Sequence, residues 1–366
     1  MKKKSTALVL AAAAAALISA CGGNNEDNNA EVPSVSSAPA LSEETSLMDS
    51  MSLEEKVGQL FMVRCDSENM ASILEKQPGG IVMFGVDFEG LSEQEVKDKI
   101  ESYKASCRIE PIISVDEEGG TVVRVSSNPA LAPDKYESPQ YYYNIGGIEE
   151  TAENAAEKSQ LLNSLGITMN LAPVADVSTD PEDFIYDRSL GQDAETTSEY
   201  VSAVVSAMKA NDMMSCLKHF PGYGSNVDTH TGIAIDDRSL ESFRKCDFLP
   251  FEAGIAAGTD AVLVAHNIVN SIDPTQPASI SEPVHEILRE ELGFNGIIIT
   301  DDMSMEAMAE YQTPYLKAVL AGNDMMIVTN FEEAYNEVLN AVYDGTIPES
   351  TINEAAEKVL SAKGVI

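Results

Sequence analysis

The sequence predicts a (β/α)8 barrel, a closed parallel sheet surrounded by helices. Two observations predict it: eight short apolar runs alternate with longer amphipathic segments, and polar residues recur at the C-terminal ends of consecutive runs. Such alternation indicates parallel strands joined by helical crossovers. Barrels of this class place their chemistry at the C-terminal ends of the strands. We expect residues 46–366 to form this barrel as one domain.

The predicted strands are short and almost continuously apolar, as expected for strands that are buried on both faces. In chain order they are VGQLFMV, GGIVMFG, PIISVD, ITMNLAPVADV, MMSCLKHF, DAVLVAH, GIIITDD and DMMIVTN. A doubly wound open sheet is the alternative that the same alternation allows. A GxGxxG nucleotide fingerprint would favour that alternative, but none of the strand-to-helix turns contains one.

The segments between the strands carry apolar residues at spacings of three and four, which predicts helices. Parallel strands need such long connections, because a tight hairpin cannot join them. The predicted helices are LSEQEVKDKIESYKAS, AENAAEKSQLLNSLG, TSEYVSAVVSAMKAN, FLPFEAGIAAG, EPVHEILREELG and FEEAYNEVLNAVYDG, and a final helix in PESTINEAAEKVLSAKG.

Strands three to seven all end in polar or charged residues. These residues are Asp116, Asp176, Lys218 with His219, His266, and Asp301 with Asp302. Because the strand ends of a barrel meet at one rim, we expect these side chains to share a pocket. Asp301 directly follows the apolar run IIIT and is a candidate nucleophile, since a rigid strand fixes its direction. Capping of a following helix is the alternative role for Asp301, Asp302 or Ser304.

The first 45 residues have a different composition from the predicted barrel. Residues 1–20 have three lysines, an apolar stretch and small residues, which predicts an export signal. The run before Cys21 resembles a bacterial lipobox, which implies a lipid anchor on Cys21 and a location on the cell membrane, facing outward. A secretory signal with an incidental cysteine is the alternative. The uncharged stretch from Ser5 to Ala20 is short for a membrane span. Residues 21–45 are polar and predict a flexible tether.

The charge and the cysteines exclude several classes of partner. The chain has 60 acidic residues against 23 Lys and Arg, a net charge of −37. This argues against nucleic acid and anionic lipid surfaces, which need a basic face. The remaining cysteines are dispersed without a CxxC pair, so no metal site is predicted. Pairing among them stays open for an exported protein, and we interpret Cys216 as a small apolar residue of a strand. These cysteines are Cys65, Cys107, Cys216 and Cys246.

The stretch KHFPGYGSNVDTH, residues 218–230, holds two of the four histidines of the chain. Its proline and two glycines argue against a helix, and in an extended segment residues two apart point to the same side. Asp228 and His230 should therefore face one side together. A carboxylate orients a neighbouring imidazole and stabilises its protonated form, as acid and base catalysis requires. A surface loop with local turn hydrogen bonds is the alternative.

Two segments carry a family resemblance. ILREELGFNGIIITDDMS, residues 287–304, resembles the signature of glycoside hydrolase family 3, and KHFPGYGSNVDTH resembles the motif of its β-N-acetylglucosaminidase branch. The resemblance implies a retaining exo-acting enzyme with Asp301 as nucleophile. It implies that His230 is the acid/base group and Asp228 its orienting partner. No metal or cofactor is implied.

Weaker signatures imply the ligands of the sugar hydroxyl groups. VDEEGGTVVRV and YDRSLG resemble further segments of the family. The residues implied are Asp116, Arg124, Arg188, Lys218 and His219. Salt bridges on the barrel rim are the alternative role for them. Tyr223 departs from the family motif, which usually has histidine there, so the packing of this loop is open.

The substrate class follows from the resemblance and from the predicted anchor. We expect peptidoglycan fragments with a terminal N-acetylglucosamine on a muramyl unit, with chitooligosaccharides as the competing source of that sugar. We expect a monomer whose own barrel loops complete the site, although some relatives carry a further C-terminal domain. A phosphorylase is the nearest alternative enzyme, because neutral imidazole does not repel phosphate. A lipid-anchored sugar-binding protein is the alternative from another class.

Overall fold

The computed structural model describes residues 47–65, 69–226, 232 and 234–366. Within these residues eight strands form a closed parallel barrel, and helices surround it. The predicted (β/α)8 fold is therefore confirmed. The predicted export signal and tether, together with Cys21, Asp228 and His230, lie outside the described residues.

The barrel strands are short, and most are buried along their whole length. They are β1 (Phe61–Arg64), β2 (Gly80–Met83), β3 (Ile112–Val115), β4 (Met169–Asn170), β5 (Met214–Phe220), β7 (Ala261–Val264), β9 (Ile297–Thr300) and β10 (Met325–Val328). Around the barrel their order is β1, β10, β9, β7, β5, β4, β3, β2. The remaining strands, β6 (Ile235–Asp236) and β8 (Ile268–Val269), form a separate two-stranded sheet.

The helices surround the barrel, and all of them except α1 contain buried residues. In chain order they are α1 (Leu47–Ser50), α2 (Leu53–Gln59), α3 (Met70–Glu75), α4 (Glu93–Ala105), α5 (Pro139–Ser164), α6 (Ala194–Ala210), α7 (Leu240–Lys245), α8 (Phe248–Ala257), α9 (Glu282–Glu286), α10 (Pro314–Ala321), α11 (Phe331–Tyr343) and α12 (Glu349–Ala362). Short 3-10 turns cover Gly85–Asp87, Tyr186–Arg188, Ala278–Ile280 and Glu306–Met308, and Ile287–Glu291 is a π-helical turn.

Several local predictions differ from the structure. The fourth predicted strand, ITMNLAPVADV, is shorter than predicted, because β4 ends at Asn170 and Asp176 lies beyond it. The first predicted strand, VGQLFMV, begins inside α2, because a capping box between Ser52 and Glu55 starts a helix that continues to Gln59. The segment EPVHEILREELG is not one α-helix, since α9 gives way to the π-helical turn after Glu286. No α-helix directly follows β9: the chain makes turns and a 3-10 segment before α10 begins at Pro314.

Alternate residues of the strands fill the inside of the barrel. Met62, Val82, Ile112, Cys216 and Ile299 belong to one buried apolar cluster within it. Because side chains alternate between the two faces of a strand, the polar or aromatic residues two or four positions further on also point inward, one layer above this cluster. They are Arg64, Phe84, Asp116, Lys218 and Asp301. The apolar cluster thus forms a floor, and these five residues lie at the mouth of the barrel.

The four cysteines of the described part of the chain are free thiols. Cys216 is fully buried inside the barrel, and this burial raises its thiol pKa to about 12. It packs as a small apolar residue, as predicted. Among the described helices, none combines the length and the apolar composition needed to cross a bilayer.

Candidate active site

A cavity of about 460 Å³ opens at the C-terminal ends of the barrel strands. Its volume lies in the range of sites that bind small molecules. Most of the predicted site residues that the structure describes line it: Asp116, Arg124, Arg188, Lys218, His219 and Asp301. Glu118, Phe84, Arg64, Asp302, Ser304 and Glu306 also line it. Of the strand-end residues that were expected to share a pocket, five line this cavity: Asp116, Lys218, His219, Asp301 and Asp302. Asp176 and His266 are not among its lining residues, so that expectation holds only in part.

Asp116 and Lys218 line the cavity and form an ion pair in which Lys218 is buried. The Lys218 ammonium donates to Asp116 Oδ1 at 2.7 Å, and an Arg124 amino group lies 3.6 Å from Asp116 Oδ2. The neighbouring acids raise the pKa of the Lys218 ammonium against the effect of its burial. This pair offers an acceptor and a donor to ligand hydroxyl groups.

Glu118, which was not among the residues predicted from the sequence, also contacts Lys218. Its carboxylate accepts from Arg188 Nε and Nη2 at 3.0 and 2.8 Å, and the Lys218 ammonium lies 2.6 Å away. Burial alone would raise the pKa of Glu118, but Lys218 and Arg188 hold it well below its usual range. Glu118 therefore stays ionised and fixes both cations.

His219 is held in one tautomer by its neighbours. Asp176 Oδ2 lies 2.7 Å from His219 Nδ1, and His219 Nε2 lies 3.1 Å from Arg188 Nη2. Because an arginine nitrogen can only donate, Nε2 accepts and Nδ1 carries the hydrogen. Asp176 also accepts from the Tyr223 backbone N–H, and the Tyr223 ring meets the His219 ring edge-on at 5.1 Å. The tyrosine that departs from the family motif is thus buried packing for His219.

Asp301 directly follows β9 and lines the cavity at the mouth of the barrel. Its backbone N–H donates to the Val264 carbonyl, and its Oδ1 accepts the N–H of Asp302 at 2.9 Å. His266 supports this turn, because its Nε2 lies 3.0 Å from the Asp302 carbonyl. Asp302 Oδ1 accepts from the Ser304 N–H, so its carboxylate caps a local turn and not an α-helix. The side chain of Asp301 is half-buried and faces the cavity.

The loop after β5 begins on a rigid base. Gly222 has φ +121° and Gly224 has φ +52°, and an added Cβ would lie 2.4 Å from Asp247 Oδ1 and 2.5 Å from Arg238 Cζ respectively. Arg238 donates to both carboxylate oxygens of Asp247 at 3.0 and 2.8 Å, and also binds Asp236. Burial raises the pKa of Asp247 to about 6, although Arg238 opposes this. The chain therefore enters residues 227–231 from a fixed position.

Lys158 supports the Glu118 segment from α5. Its buried ammonium donates to the Glu118 carbonyl at 2.8 Å, and burial lowers its pKa to about 8 although Glu117 and Glu118 oppose this shift. The folded protein therefore releases this proton more readily than the unfolded chain, whose lysine has a pKa near 10.5. By linkage, folding stability should rise as the pH increases from about 8 to 10.5.

Replacing Lys158 with methionine should remove the contribution of Lys158 to this rise, which we expect to be of the order of 3 kcal/mol. Urea unfolding at pH 7.5, 9 and 10 measures it. Burial also lowers the pKa of Lys363 to about 7, and the separate contribution of Lys363 should remain in the variant. Lys245, an exposed lysine paired with Glu241, provides the matched control, and Lys245→Met should keep the rise. A Lys158→Met protein with the full wild-type rise would contradict this assignment.

A family model agrees with this architecture. The model described as the glycosyl hydrolase family 3 N terminal domain matches residues 52–362. The match begins at the N-cap of α2 and ends at the last residue of α12, so it spans the whole barrel.

Curated relatives match most of the chain. A protein named beta-hexosaminidase from Stenotrophomonas maltophilia is 33% identical over 294 residues, which cover 78% of this chain and 85% of the relative. A protein of the same name from Idiomarina loihiensis is 34% identical over 280 residues, covering 74% of this chain and 82% of the relative.

Solved structures share the fold and are similar in sequence. A glycoside hydrolase family 3 beta-N-acetylglucosaminidase from a Paenibacillus species has a TM-score of 0.80 at 28% identity, with 86% of this chain and 62% of that one covered. A beta-N-acetylhexosaminidase from Beutenbergia cavernae has a TM-score of 0.78 at 26% identity, with 86% and 99% covered. The barrel, its polar mouth and these matches agree: the chain belongs to glycoside hydrolase family 3 and is a glycoside hydrolase.

Proposed function

We propose that this glycoside hydrolase is a retaining exo-β-N-acetylglucosaminidase that removes terminal N-acetylglucosamine. The observation that carries the proposal is that Asp301, directly after β9, lines the same cavity as the cluster of Asp116, Glu118, Arg188, Lys218 and His219. The names of the relatives from Stenotrophomonas maltophilia and Paenibacillus support the choice of sugar.

In this proposal the cluster orients the terminal sugar through its hydroxyl groups. Asp116 accepts hydroxyl hydrogens, while Lys218, Arg188 and Arg124 donate to hydroxyl oxygens. All four side chains are restrained by ion pairs, so little further ordering accompanies binding. This arrangement presents the anomeric carbon to Asp301, which attacks it and forms a covalent glycosyl-enzyme.

The acid/base role falls to His230 with Asp228, on the loop whose base is anchored by Gly222 and Gly224. His230 protonates the departing oxygen in the first step and takes a proton from water in the second. Asp228 orients the imidazole and stabilises its protonated form. The sequence motif supports this assignment, and the chemistry of the reaction requires a group of this kind on the side of the sugar opposite Asp301.

The His230→Ala variant should lose most activity on substrates whose leaving group must be protonated as it departs. We expect kcat/KM to fall by about 10²- to 10⁴-fold on disaccharides, because the loss of general acid catalysis has this size. The variant should lose least activity in the glycosylation step on dinitrophenyl N-acetyl-β-glucosaminide, because the leaving group of this substrate needs little protonation. A series of aryl glycosides measures the dependence on leaving-group pKa. An equal loss on every member of the series would contradict the acid/base role.

We propose muropeptide fragments as the substrate class, with the chain held at the outer face of the cell membrane through Cys21. The lipobox-like sequence before Cys21 and the polar segment that follows it support this location. Mass spectrometry of muropeptide digests tests the substrate, with chitooligosaccharides as the comparison. Palmitate labelling of the wild type and of Cys21→Ser tests the anchor.

Two experimental outcomes would contradict the proposed hydrolase function and favour another one. Phosphate-dependent turnover that yields N-acetylglucosamine 1-phosphate would identify a phosphorylase. Sugar binding without any release of chromophore from aryl N-acetyl-β-glucosaminides would favour a binding protein.

A further inference from the structure

A second, small cavity lies among α5, α6 and residues 170–174. Its volume is about 20 Å³, and all of its lining residues except Tyr142 are buried. A volume of this size admits one particle as large as a water molecule or a small ion. The cavity shares only Glu118 with the candidate active site, so it is a separate space.

Lys158 brings a buried positive charge to this cavity. Its side chain lines the cavity, and its ammonium donates to the Glu118 carbonyl at 2.8 Å. An ammonium has three hydrogens to donate, so this bond leaves two of them for other partners. Among the residues that the structure describes, no carboxylate lies within ion-pair distance of the Lys158 ammonium. A buried charge without a contacting partner is costly.

The two acids near Lys158 are bound to other groups. The Glu117 carboxylate accepts three backbone N–H groups and a hydroxyl group of the loop that follows it. The Glu118 carboxylate pairs with Arg188 and Lys218. Lys158 is thus left without a counter-ion of its own in the described part of the chain.

Asn154 presents a second unused donor to the same cavity. It lies four residues before Lys158 on α5, and residues at this spacing share a face of a helix. Asn154 is only 6% exposed, and its Nδ2 has no hydrogen-bond partner among the described residues. Tyr142 and Tyr200 also line the cavity, and their hydroxyl groups can donate. A particle that accepts from several donors would satisfy these groups together.

We propose that this cavity binds a monovalent anion of the size of chloride, which is the counter-ion of Lys158 and accepts a hydrogen bond from Asn154 Nδ2. An anion fits better than water, because a water molecule brings two hydrogens of its own to a space where unused donors already converge. A polyatomic anion such as phosphate is too large for about 20 Å³. The anion takes no part in the proposed reaction, so this proposal does not depend on the proposed function.

The first test compares the melting temperature of the wild type in sodium chloride and in sodium gluconate, both at about 0.15 M. Gluconate is too large for the cavity but screens the net charge of −37 in the same way. We expect chloride to raise the melting temperature by about 2–4 °C relative to gluconate at pH 7.

This chloride-specific difference should shrink at pH 9.5. Burial lowers the pKa of the Lys158 ammonium to about 8, although Glu117, Glu118 and Glu157 oppose this shift. Above that pH the folded protein holds a neutral amine, which does not attract an anion. The same pair of melting curves at pH 9.5 measures the loss.

Two variants remove the site in different ways. Lys158→Met removes the cation, whereas Asn154→Asp places a carboxylate beside it as an internal counter-ion. The chloride-specific difference should vanish in both variants. Asn154→Asp keeps the shape of the side chain, so the test does not depend on whether Lys158→Met folds. Lys245→Met removes an exposed lysine that pairs with Glu241 and should keep the wild-type difference.

Bromide locates the site directly. Wild-type crystals soaked in sodium bromide should give an anomalous scattering peak in contact with Lys158 Nζ and Asn154 Nδ2, and crystals of Asn154→Asp should not. An ordered water at this place without a bromide signal would overturn the proposal. So would a chloride-specific difference that persists in both variants. A bromide peak without chloride-specific stabilisation in solution would also overturn it, because it would indicate binding at crystal concentration only.

Discussion

Asp301→Ala should lower kcat on an aryl N-acetyl-β-glucosaminide by at least about 10⁴-fold, because removal of a catalytic nucleophile has effects of this size. The fold should survive, since the side chain of Asp301 is only half-buried and lies at the mouth of the barrel. Added azide should restore part of the turnover in the small space left by the carboxylate. The product should be the α-glycosyl azide, since azide would attack from the face that Asp301 occupied.

Asp302 provides the matched control for this experiment. It lines the same cavity, but its carboxylate caps the turn to Ser304, and asparagine can accept the same hydrogen bond. We therefore expect Asp302→Asn to stay within about tenfold of the wild type. Comparable losses in Asp301→Ala and Asp302→Asn, without azide rescue of either, would contradict the assignment of the nucleophile.

Glu118→Gln should reduce both stability and activity. Its carboxylate is almost fully buried and neutralises Lys218 and Arg188 together, so removing its charge leaves two buried cations with less compensation. Breaking a buried pair typically costs about 3–5 kcal/mol of folding free energy. We also expect at least about 100-fold lower kcat/KM, because both cations would lose the restraint that directs them at the sugar.

The pH dependence of stability tests the electrostatic part of this effect. Lys218 and Arg188 lower the pKa of Glu118 in the folded state, so its contribution is complete above the unfolded value near 4.5 and is lost as the pH falls below it. The stability difference between the wild type and Glu118→Gln should narrow by about 1.4 kcal/mol per pH unit below 4.5. Urea unfolding between pH 3 and 7 measures this difference.

Glu306→Gln is the control for Glu118→Gln. Glu306 lines the cavity but is exposed and forms no ion pair with the residues that the structure describes. Its removal should change stability by less than about 0.5 kcal/mol. A Glu118→Gln protein that is as stable and as active as Glu306→Gln would show that the buried cluster does not depend on this carboxylate.

The fold and most of the rim could be predicted from the sequence because they depend on simple periodicities. Buried parallel strands are uniformly apolar, so a charged residue at the end of such a strand stands out, as Asp116 and Asp301 do. The boundary between α2 and β1 could not be predicted as well, because only Gly58 and Gln59 separate the apolar residue at the end of the helix from the apolar run of the strand. Because the first predicted strand ended at Val63, Arg64, one residue later, was not identified as a residue of the cavity.

Glu118 was missed although a signal for it was present. It lies two residues after Asp116, and residues at this spacing in an extended segment share a side, the same argument that paired Asp228 with His230. The adjacent Glu117 obscured it, because the sequence does not distinguish two neighbouring acids. In the structure Glu117 accepts the backbone N–H groups of residues 124 and 125 and shapes the loop, whereas Glu118 faces the cavity.

The support for Asp301 could not be predicted for a different reason. His266 reaches the Asp302 carbonyl across 36 positions of sequence, and its Nδ1 lies 2.7 Å from Ser279 Oγ. Such contacts depend on how two loops pack together at the rim, and no local sequence pattern predicts this packing. The strand ends predicted which residues approach the cavity, but not which of them hold the others in place.

Covalent trapping tests the central claim most directly. The wild type should be incubated with a 5-fluoro N-acetylglucosaminyl fluoride, which slows hydrolysis of the glycosyl-enzyme, and digested for peptide mapping by mass spectrometry. We predict one sugar adduct per chain, on the carboxylate of Asp301. An adduct on any other residue would contradict the assignment of Asp301 as the nucleophile. So would hydrolysis of the glycosyl fluoride during which the enzyme stays active and no adduct forms.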